Sequence, residues 1–444
     1  MASRFDVIVV GGGPSGAIAA TTLARGGAEV ALVEKAAFPR DKACGDVVGP
    51  RGVRLLEDLG ISIPFACPVG EIEVLGPAGR RVRLPCGEGL TYPGHGISVT
   101  RRRFDALLYD AALRAGATPV HAQALEPLRA GGRIDGYRLN SGCDLRADLV
   151  IGADGATSRV AAETGLVDEK KVLWGFALRT YLPCVVDLPT IAFWEPEPWR
   201  ALPGYGWVFP GTDGANVGLG LGMVASRKAA GKVRQLLPRF MDHLRKHGLL
   251  SGTPALLPAR PLGGWLKMGM VGTNPAAGRV LLVGDAAGLV NPLQGEGIAQ
   301  ALGSGRTAAE AVLADPGRAA ERYRAALAAE HLPYHRITAT VQASLVDRPR
   351  TVAGTARLLT ILGRSNLLSG GWSVFWNELL RGAPANRHRT VAATVTWLGQ
   401  KVTRGSSIAH WFDDHYLIDP DHDPFTPLAD EIAMDGRGRS LSSR

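Results

Sequence analysis

The stretch VIVVGGGPSGAIAATTL, Val7 to Leu23, contains no charged residue. It has the makings of a membrane anchor, an export signal or the phosphate-binding corner of a nucleotide enzyme. The glycines decide between them. Phe5 to Val10 is a short β-branched run, the mark of a buried parallel strand. Ala17 to Arg25 is alanine-rich and helical. Between the two lie Gly11, Gly13 and Gly16, spaced G-x-G-x-x-G. These glycines allow a tight turn and let the backbone approach a pyrophosphate seated on a helix N-terminus. A spanning helix of about 20 residues tolerates such interruptions poorly. An export signal wants a basic start and an unbroken apolar core, whereas here Asp6 follows Arg4 and Pro14 follows three glycines. The next apolar run, VALVEK, ends in Glu34 and Lys35 about 20 residues downstream, where a carboxylate binds a ribose hydroxyl.

Composition narrows the class. The chain has 444 residues, 46% of them hydrophobic and 20% charged, the profile of a globular enzyme with more than one domain. The formal net charge is +9. Its Lys and Arg residues are scattered, apart from Arg101 to Arg103, and no aromatic-basic run or zinc spacing accompanies them. Anionic ligands are therefore expected rather than nucleic acid, and a basic surface also suits an anionic membrane face. The cysteines are Cys44, Cys67, Cys86, Cys143 and Cys184, an odd number with no C-x-x-C pair. They form neither a disulfide framework nor a zinc module, and a reducing cytoplasm fits best.

Two further strand ends carry the same signature. LVIGADGATSRV sets a buried strand before Asp154 and Gly155. RVLLVGDAAGLVNPLQGEGI sets another before Gly284 and Asp285, then a loop with Pro292, Gly295 and Gly297 and a helix from Ile298. An Asp at such an end accepts from a ribose or ribityl hydroxyl, or caps a helix; the two roles are compatible. Three glycine-rich strand ends in this order resemble the FAD-dependent oxidoreductases of the para-hydroxybenzoate hydroxylase type, over roughly residues 5 to 310. The resemblance implies FAD, with its pyrophosphate at Gly11, Gly13, Pro14, Ser15 and Gly16. It identifies TRRRFDALL as the Arg-x-x-Phe-Asp element, whose Arg101 approaches the FAD phosphate or ribose. It also aligns FPRDKACGD with a segment crossing near the flavin, with Arg40, Cys44 and Gly45 at its informative positions.

The fold leaves the reaction open. Hydroxylation, halogenation and double-bond reduction compete. LPGYGWVFP departs from the halogenase motif Gly-Trp-x-Trp-x-Ile-Pro in its first half and at Phe209. PGYGWVFP instead resembles the Tyr-x-Trp-x-Phe-Pro motif of the geranylgeranyl reductase family at Tyr205, Trp207, Phe209 and Pro210, and ACGD and NPLQGEGI agree. Strand alternation puts Tyr205, Trp207 and Phe209 on one face. They are either ordinary core residues or the wall of an apolar cavity suited to an isoprenoid or polyene. Reducing an alkene needs hydride from reduced flavin and a proton from the protein. Cys44 and Tyr205 are the candidate acids; Cys44 is otherwise a small packing residue, and His95 in its Gly-rich loop is set aside.

The expected fold is α/β: a Rossmann-like FAD-binding domain (1–64, 98–171, 272–330), an inserted β-sheet substrate domain (65–97, 172–271) and a C-terminal helical region (331–444) with a flexible tail. No second nucleotide fold is visible, so NAD(P)H docks transiently or a ferredoxin-like donor reduces the flavin. The expected partner is an apolar small molecule; the C-terminal helices are expected to pack on the main domain, the alternatives being closure of the substrate tunnel or a peripheral contact with a membrane or a partner. The alternatives are a monooxygenase or halogenase of a secondary metabolite, and a non-catalytic flavin-binding docking protein. The acidic stretch after Asp413 lacks fixed ligand spacing, so no metal is expected there.

Overall fold

The computed structural model describes residues 4–76, 79, 81–85, 93–192, 204–212, 214–221, 230–250, 261–292 and 294–347. The expectations for the C-terminal region beyond 347 and for Cys86 lie outside the described residues.

The first strand, Arg4–Val10, is partly exposed at its start and wholly buried from Val7 to Val10. It lies between Asp144–Gly152 and Val30–Glu34, both parallel to it, with Val9 opposite Ile151 on one side and Leu32 on the other. Thr118–His121 extends this sheet beyond Val30–Glu34, and Val280–Leu282 extends it beyond Asp144–Gly152. An antiparallel arm, Ala124–Ala130 with Arg133–Leu139, leads into Asp144–Gly152. Strands apolar on both faces must be covered on both faces, which is why these runs do not alternate. Gly11, Gly152 and Gly284 thus stand at the carboxyl ends of neighbouring parallel strands, where open α/β sheets bind ligands.

The first helix, Pro14–Arg25, crosses the helix Ile298–Ala314 at very close range. A methyl on Gly305 would lie 2.2 Å from the Ser15 carbonyl oxygen. The long helix Ala319–Asp347 is pinned to the sheet by Tyr323, whose buried hydroxyl donates to the Leu282 carbonyl at 2.7 Å.

A second sheet of seven strands runs in the order Leu262–Met268, Leu173–Leu182, Ala215–Leu221, Gly204–Phe209, Thr190–Ala192, Glu71–Leu75 and Arg81–Pro85. Its strands alternate. Leu178, Val208, Val217 and Leu219 face the amphipathic helix Ala230–Lys246, while Ala177, Trp207 and Phe209 form a separate cluster. Gly206 is what lets the helix seat: a Cβ there would meet the Phe240 ring at 2.1 Å. Val47–Val48, Gly96–Ser98 and Cys67–Val69 make a small third sheet. Among the described residues, no helix is long and apolar enough to cross a membrane.

Because the obstruction at Gly305 is backbone rather than a movable side chain, Gly305→Ala must push the two helices apart. We expect a loss of about 1–3 kcal/mol, the usual cost of overpacking, seen as a lower unfolding midpoint in urea.

Candidate active site

The glycine corner is shaped by what it excludes. Gly11 has φ +107°, and a Cβ there would strike the Ala153 carbonyl oxygen at 2.4 Å. At Gly16 a Cβ would sit 1.9 Å from the Gly11 oxygen. Gly13 differs: the nearest atom to its would-be Cβ is an Arg40 guanidinium nitrogen at 3.5 Å, so the space before the helix is open. Gly13 begins that helix without a side-chain cap, and Pro14 supplies no N–H, so the following amides face the opening. Glu34 stands beside it. Its Oε2 accepts from the Gly12 N–H and its Oε1 from the Ala36 N–H, both at 2.8 Å. Lys35 is exposed just past the strand. Arg40 lies 4.0 Å from Glu34 and 3.0 Å from Asp105. An open cradle at a helix N-terminus, with a fixed carboxylate at the next strand end, fits the pyrophosphate and ribose of FAD.

Arg101 is placed otherwise than its motif suggests. Nε and Nη2 hold the Asp105 carboxylate bidentately at 2.6 and 2.7 Å, deep inside the protein. Its charge is fixed there, and it lies against the Cys44 thiol. Asp154 is likewise engaged. Oδ1 accepts from the Ser158 hydroxyl, and Oδ2 accepts from the Arg159 and Val160 amides at 2.7 and 3.1 Å, opening the helix Arg159–Glu163. The cap and ligand roles stay compatible because a carboxylate has about four acceptor sites. Gly155 follows at φ +85°, with nothing near its would-be Cβ.

At the third strand end Gly284 (φ +57°) donates its N–H to the Ser304 hydroxyl, and a Cβ there would lie 2.9 Å from the Ser15 Oγ. The corner and this strand end therefore touch. Asp285 pairs with Lys42 at 3.0 Å. The loop continues through Pro292, whose ring lies 3.0 Å from a would-be Cβ on Gly269. Gly295, at φ +68°, has the Tyr205 hydroxyl 3.2 Å from its would-be Cβ. Gly297 starts the helix with no side-chain cap, and buried Ile298 packs in a cluster that Cys44 borders.

Tyr205, Trp207 and Phe209 lie on one face of their strand, with the Trp207 and Phe209 rings stacked 6.2 Å apart. Glycines clear the floor for them: a Cβ on Gly218 would strike Trp207 Cζ2 at 2.2 Å. Tyr205 donates its hydroxyl to the Gln294 carbonyl in the loop of the first sheet. The Cys44–Gly45 turn abuts the same aromatics, with Phe209 2.9 Å from a would-be Cβ on Gly45. The two sheets thus meet at the residues the motifs named. Burial raises the Tyr205 phenol and the Cys44 thiol, the latter opposed mainly by the Arg101 charge. Both keep their protons at neutral pH.

The motifs missed several polar groups here. Asp46, buried and at φ +66°, receives hydrogen bonds from the Tyr181 hydroxyl and from Asn216 Nδ2 at 2.7 Å. Its carboxyl is pushed up to about 6, first by burial, against those hydrogen bonds and the Arg179 and Arg101 charges. Lys267, 2% exposed, donates to the Ala286 carbonyl at 2.8 Å. Burial lowers it to about 8 against the nearby Asp154, Asp285 and Glu169. Strand alternation through LWGFALRTYL was the available signal for Tyr181. Among the described residues there is no cluster of ligands for a metal ion.

Residues 4–177 match the family described as "FAD binding domain". The chain is 34% identical over 328 residues to the menaquinone reductase of Mycolicibacterium smegmatis, a match spanning 70% of this chain and 76% of that protein. It is also 34% identical over 327 residues to the geranylgeranyl diphosphate reductase of Rhodobacter capsulatus, spanning 70% and 75%. A geranylgeranyl bacteriochlorophyll reductase-like protein from Thermoplasma acidophilum superposes with a TM-score of 0.70 at 23% identity, covering 90% of this chain and all of that one.

Since the thiolate is the reactive form and burial disfavours it at Cys44, iodoacetamide at neutral pH should label exposed Cys143 about ten-fold faster or more. Peptide mass spectrometry over a time course measures the two rates. Equal rates would mean a depressed, reactive Cys44.

Proposed function

The chain belongs to the geranylgeranyl reductase family of FAD-dependent oxidoreductases, and we propose that it reduces a carbon–carbon double bond in an isoprenoid or similarly apolar substrate. The observation that carries this reading is the meeting of Tyr205 with the Gln294–Gly295 loop, which brings an aromatic wall to the flavin-side strand end. The menaquinone reductase and the geranylgeranyl diphosphate reductase named above support it, since both activities are reductions.

Each residue has a role in this proposal. The amides after Gly13 hold the FAD pyrophosphate, with Gly11, Pro14, Ser15 and Gly16 shaping the turn. Glu34 takes the adenosine ribose, with Lys35 and Arg40 at its rim. Arg101 acts from behind, fixing Asp105 and the Cys44 thiol. Asp154, Gly155, Gly284 and Asp285 line the ribityl side; Pro292, Gly295, Gly297 and Ile298 present the loop to the ring. When bound and reduced, FAD supplies hydride. Trp207 and Phe209, 4% and 7% exposed, offer the apolar chain a rigid wall. Tyr205 or Cys44, protonated at neutral pH, gives the proton to the second carbon. The domain division expected from the sequence serves this arrangement: residues 172–271 with 65–97 carry substrate, and the rest up to 330 carries FAD. NAD(P)H or a ferredoxin-like protein renews the reduced flavin, and the basic chain takes its substrate from an anionic membrane surface.

The test is anaerobic. Protein-bound flavin, reduced by dithionite, should be re-oxidised by a C20 isoprenoid alkene, giving a product with two more hydrogens. Re-oxidation by oxygen alone, with a product that gains an oxygen atom, overturns the proposal. Glu34→Ala removes a charged acceptor, so FAD retention should weaken about 10-fold or more in equilibrium dialysis. Unchanged retention would place the ribose elsewhere.

A further inference from the structure

Asp46 ends the Cys44–Gly45–Asp46 turn in a left-handed conformation that few non-glycine residues adopt. Such backbone persists where the surroundings over-determine it. Here three partners do so. The Arg101 amide donates to Oδ1 at 3.3 Å, and the Tyr181 hydroxyl and Asn216 Nδ2 donate to Oδ2. Asn216 is the hub. Its Nδ2 also donates to the Cys44 carbonyl at 2.8 Å, and its Oδ1 accepts from the Trp207 indole N–H at 2.9 Å. One amide therefore ties the turn to the aromatic wall. An amide has distinct donor and acceptor ends, so the carboxylate that takes its NH₂ also fixes which end faces Trp207.

We propose that Asp46 is a positioning residue for the reaction: through Asn216 it locks the Trp207 indole against the Cys44–Gly45 turn, and it does so in its ionised form. This rests on the proposed reduction only for its consequence in turnover; the lock itself is a property of the folded chain. An ionised carboxylate is an acceptor only, and matches three donors. Once protonated it loses the charge that strengthens all three bonds, and its hydrogen takes up one of about four acceptor sites. The charged or titratable groups around it are Arg101, with Asp105 behind it, from the helix Arg101–Arg114; Arg179 and Tyr181 from the strand Leu173–Leu182; and Cys44 from its own turn. Arg101 and Arg179 favour the ionised form. The carboxyl, raised to about 6, is ionised above that pH and protonated below it, so the lock is held at neutral pH and released on acidification.

The experiment follows the Trp207 indole N–H by NMR in the ¹⁵N-indole-labelled full chain with FAD, assigned by Trp207→Phe. In the unsubstituted protein this signal should shift with a midpoint near pH 6. In Asp46→Asn the shift should vanish. In Tyr181→Phe, which removes a hydrogen bond favouring the ionised form, the midpoint should move to higher pH, so this variant decides if Asp46→Asn fails to fold. The KM for the apolar substrate should rise about ten-fold or more in Asp46→Asn, with FAD content unchanged. A Trp207 signal that does not titrate, or a midpoint the same in all the proteins, overturns the proposal. If Trp207 titrates as described but the enzyme oxygenates its substrate, the lock stands and the reductase reading falls.

Discussion

The structure depends on backbone meeting backbone with no side chain between. Gly16 packs on the Gly11 carbonyl, and Gly305 packs on the Ser15 carbonyl. These contacts bring the first strand, the first helix and the helix Ile298–Ala314 so close that any Cβ would be excluded. They also set the third strand end, at Gly284, against Ser15. The cradle proposed for the phosphates is thus a by-product of packing: the turn that makes the core tight leaves the amides after Gly13 facing an opening. A Cβ at Gly11, Gly16 or Gly305 would disturb fold and cradle together.

The second sheet uses the same device for another end. Gly206 admits Phe240 on one face, and Gly218 admits the Trp207 ring on the other. One face is spent on the helix Ala230–Lys246, which leaves the other for Tyr205, Trp207 and Phe209. Those rings would be ordinary core if the first sheet did not approach. It does approach, through the Tyr205 hydroxyl on Gln294 and the Gly45 turn on Phe209. The wall therefore borders the loop at Gln294, and the buried polar groups Asp46 and Asn216 tie the second sheet to the Cys44–Asp46 turn.

Local pattern made the nucleotide side legible, because G-x-G-x-x-G, the strand-ending Glu34 and the two Gly-Asp ends each report on their own neighbourhood. The aromatic face followed from strand alternation, and the two-domain architecture from the resemblance that the strand-end motifs carry. The partners were legible only in part. Arg101 and Asp105 stand four apart on one helix, a spacing that allows the ion pair seen, and the motif reading passed over it. At Asp154 the helix-capping role expected from its place at the strand end is seen in the Arg159 and Val160 amides, and the Ser158 hydroxyl joins them. Asp46 and Asn216 are 170 residues apart in sequence and joined only by the meeting of the two sheets. Lys267 reads as a surface lysine in a strand, yet it lies under the Ala286 carbonyl. The last two pairings come from tertiary contact, which no periodicity encodes.

The central claim is that one reaction space, walled by Tyr205, Trp207 and Phe209, delivers two hydrogens to an apolar double bond. A single anaerobic turnover in D₂O tests it, because both hydrogens then come from exchangeable sites. The account expects a product with two deuterium atoms on adjacent carbons and no new oxygen, located by mass spectrometry. A product that carries oxygen, or one without carbon-bound deuterium, would contradict it.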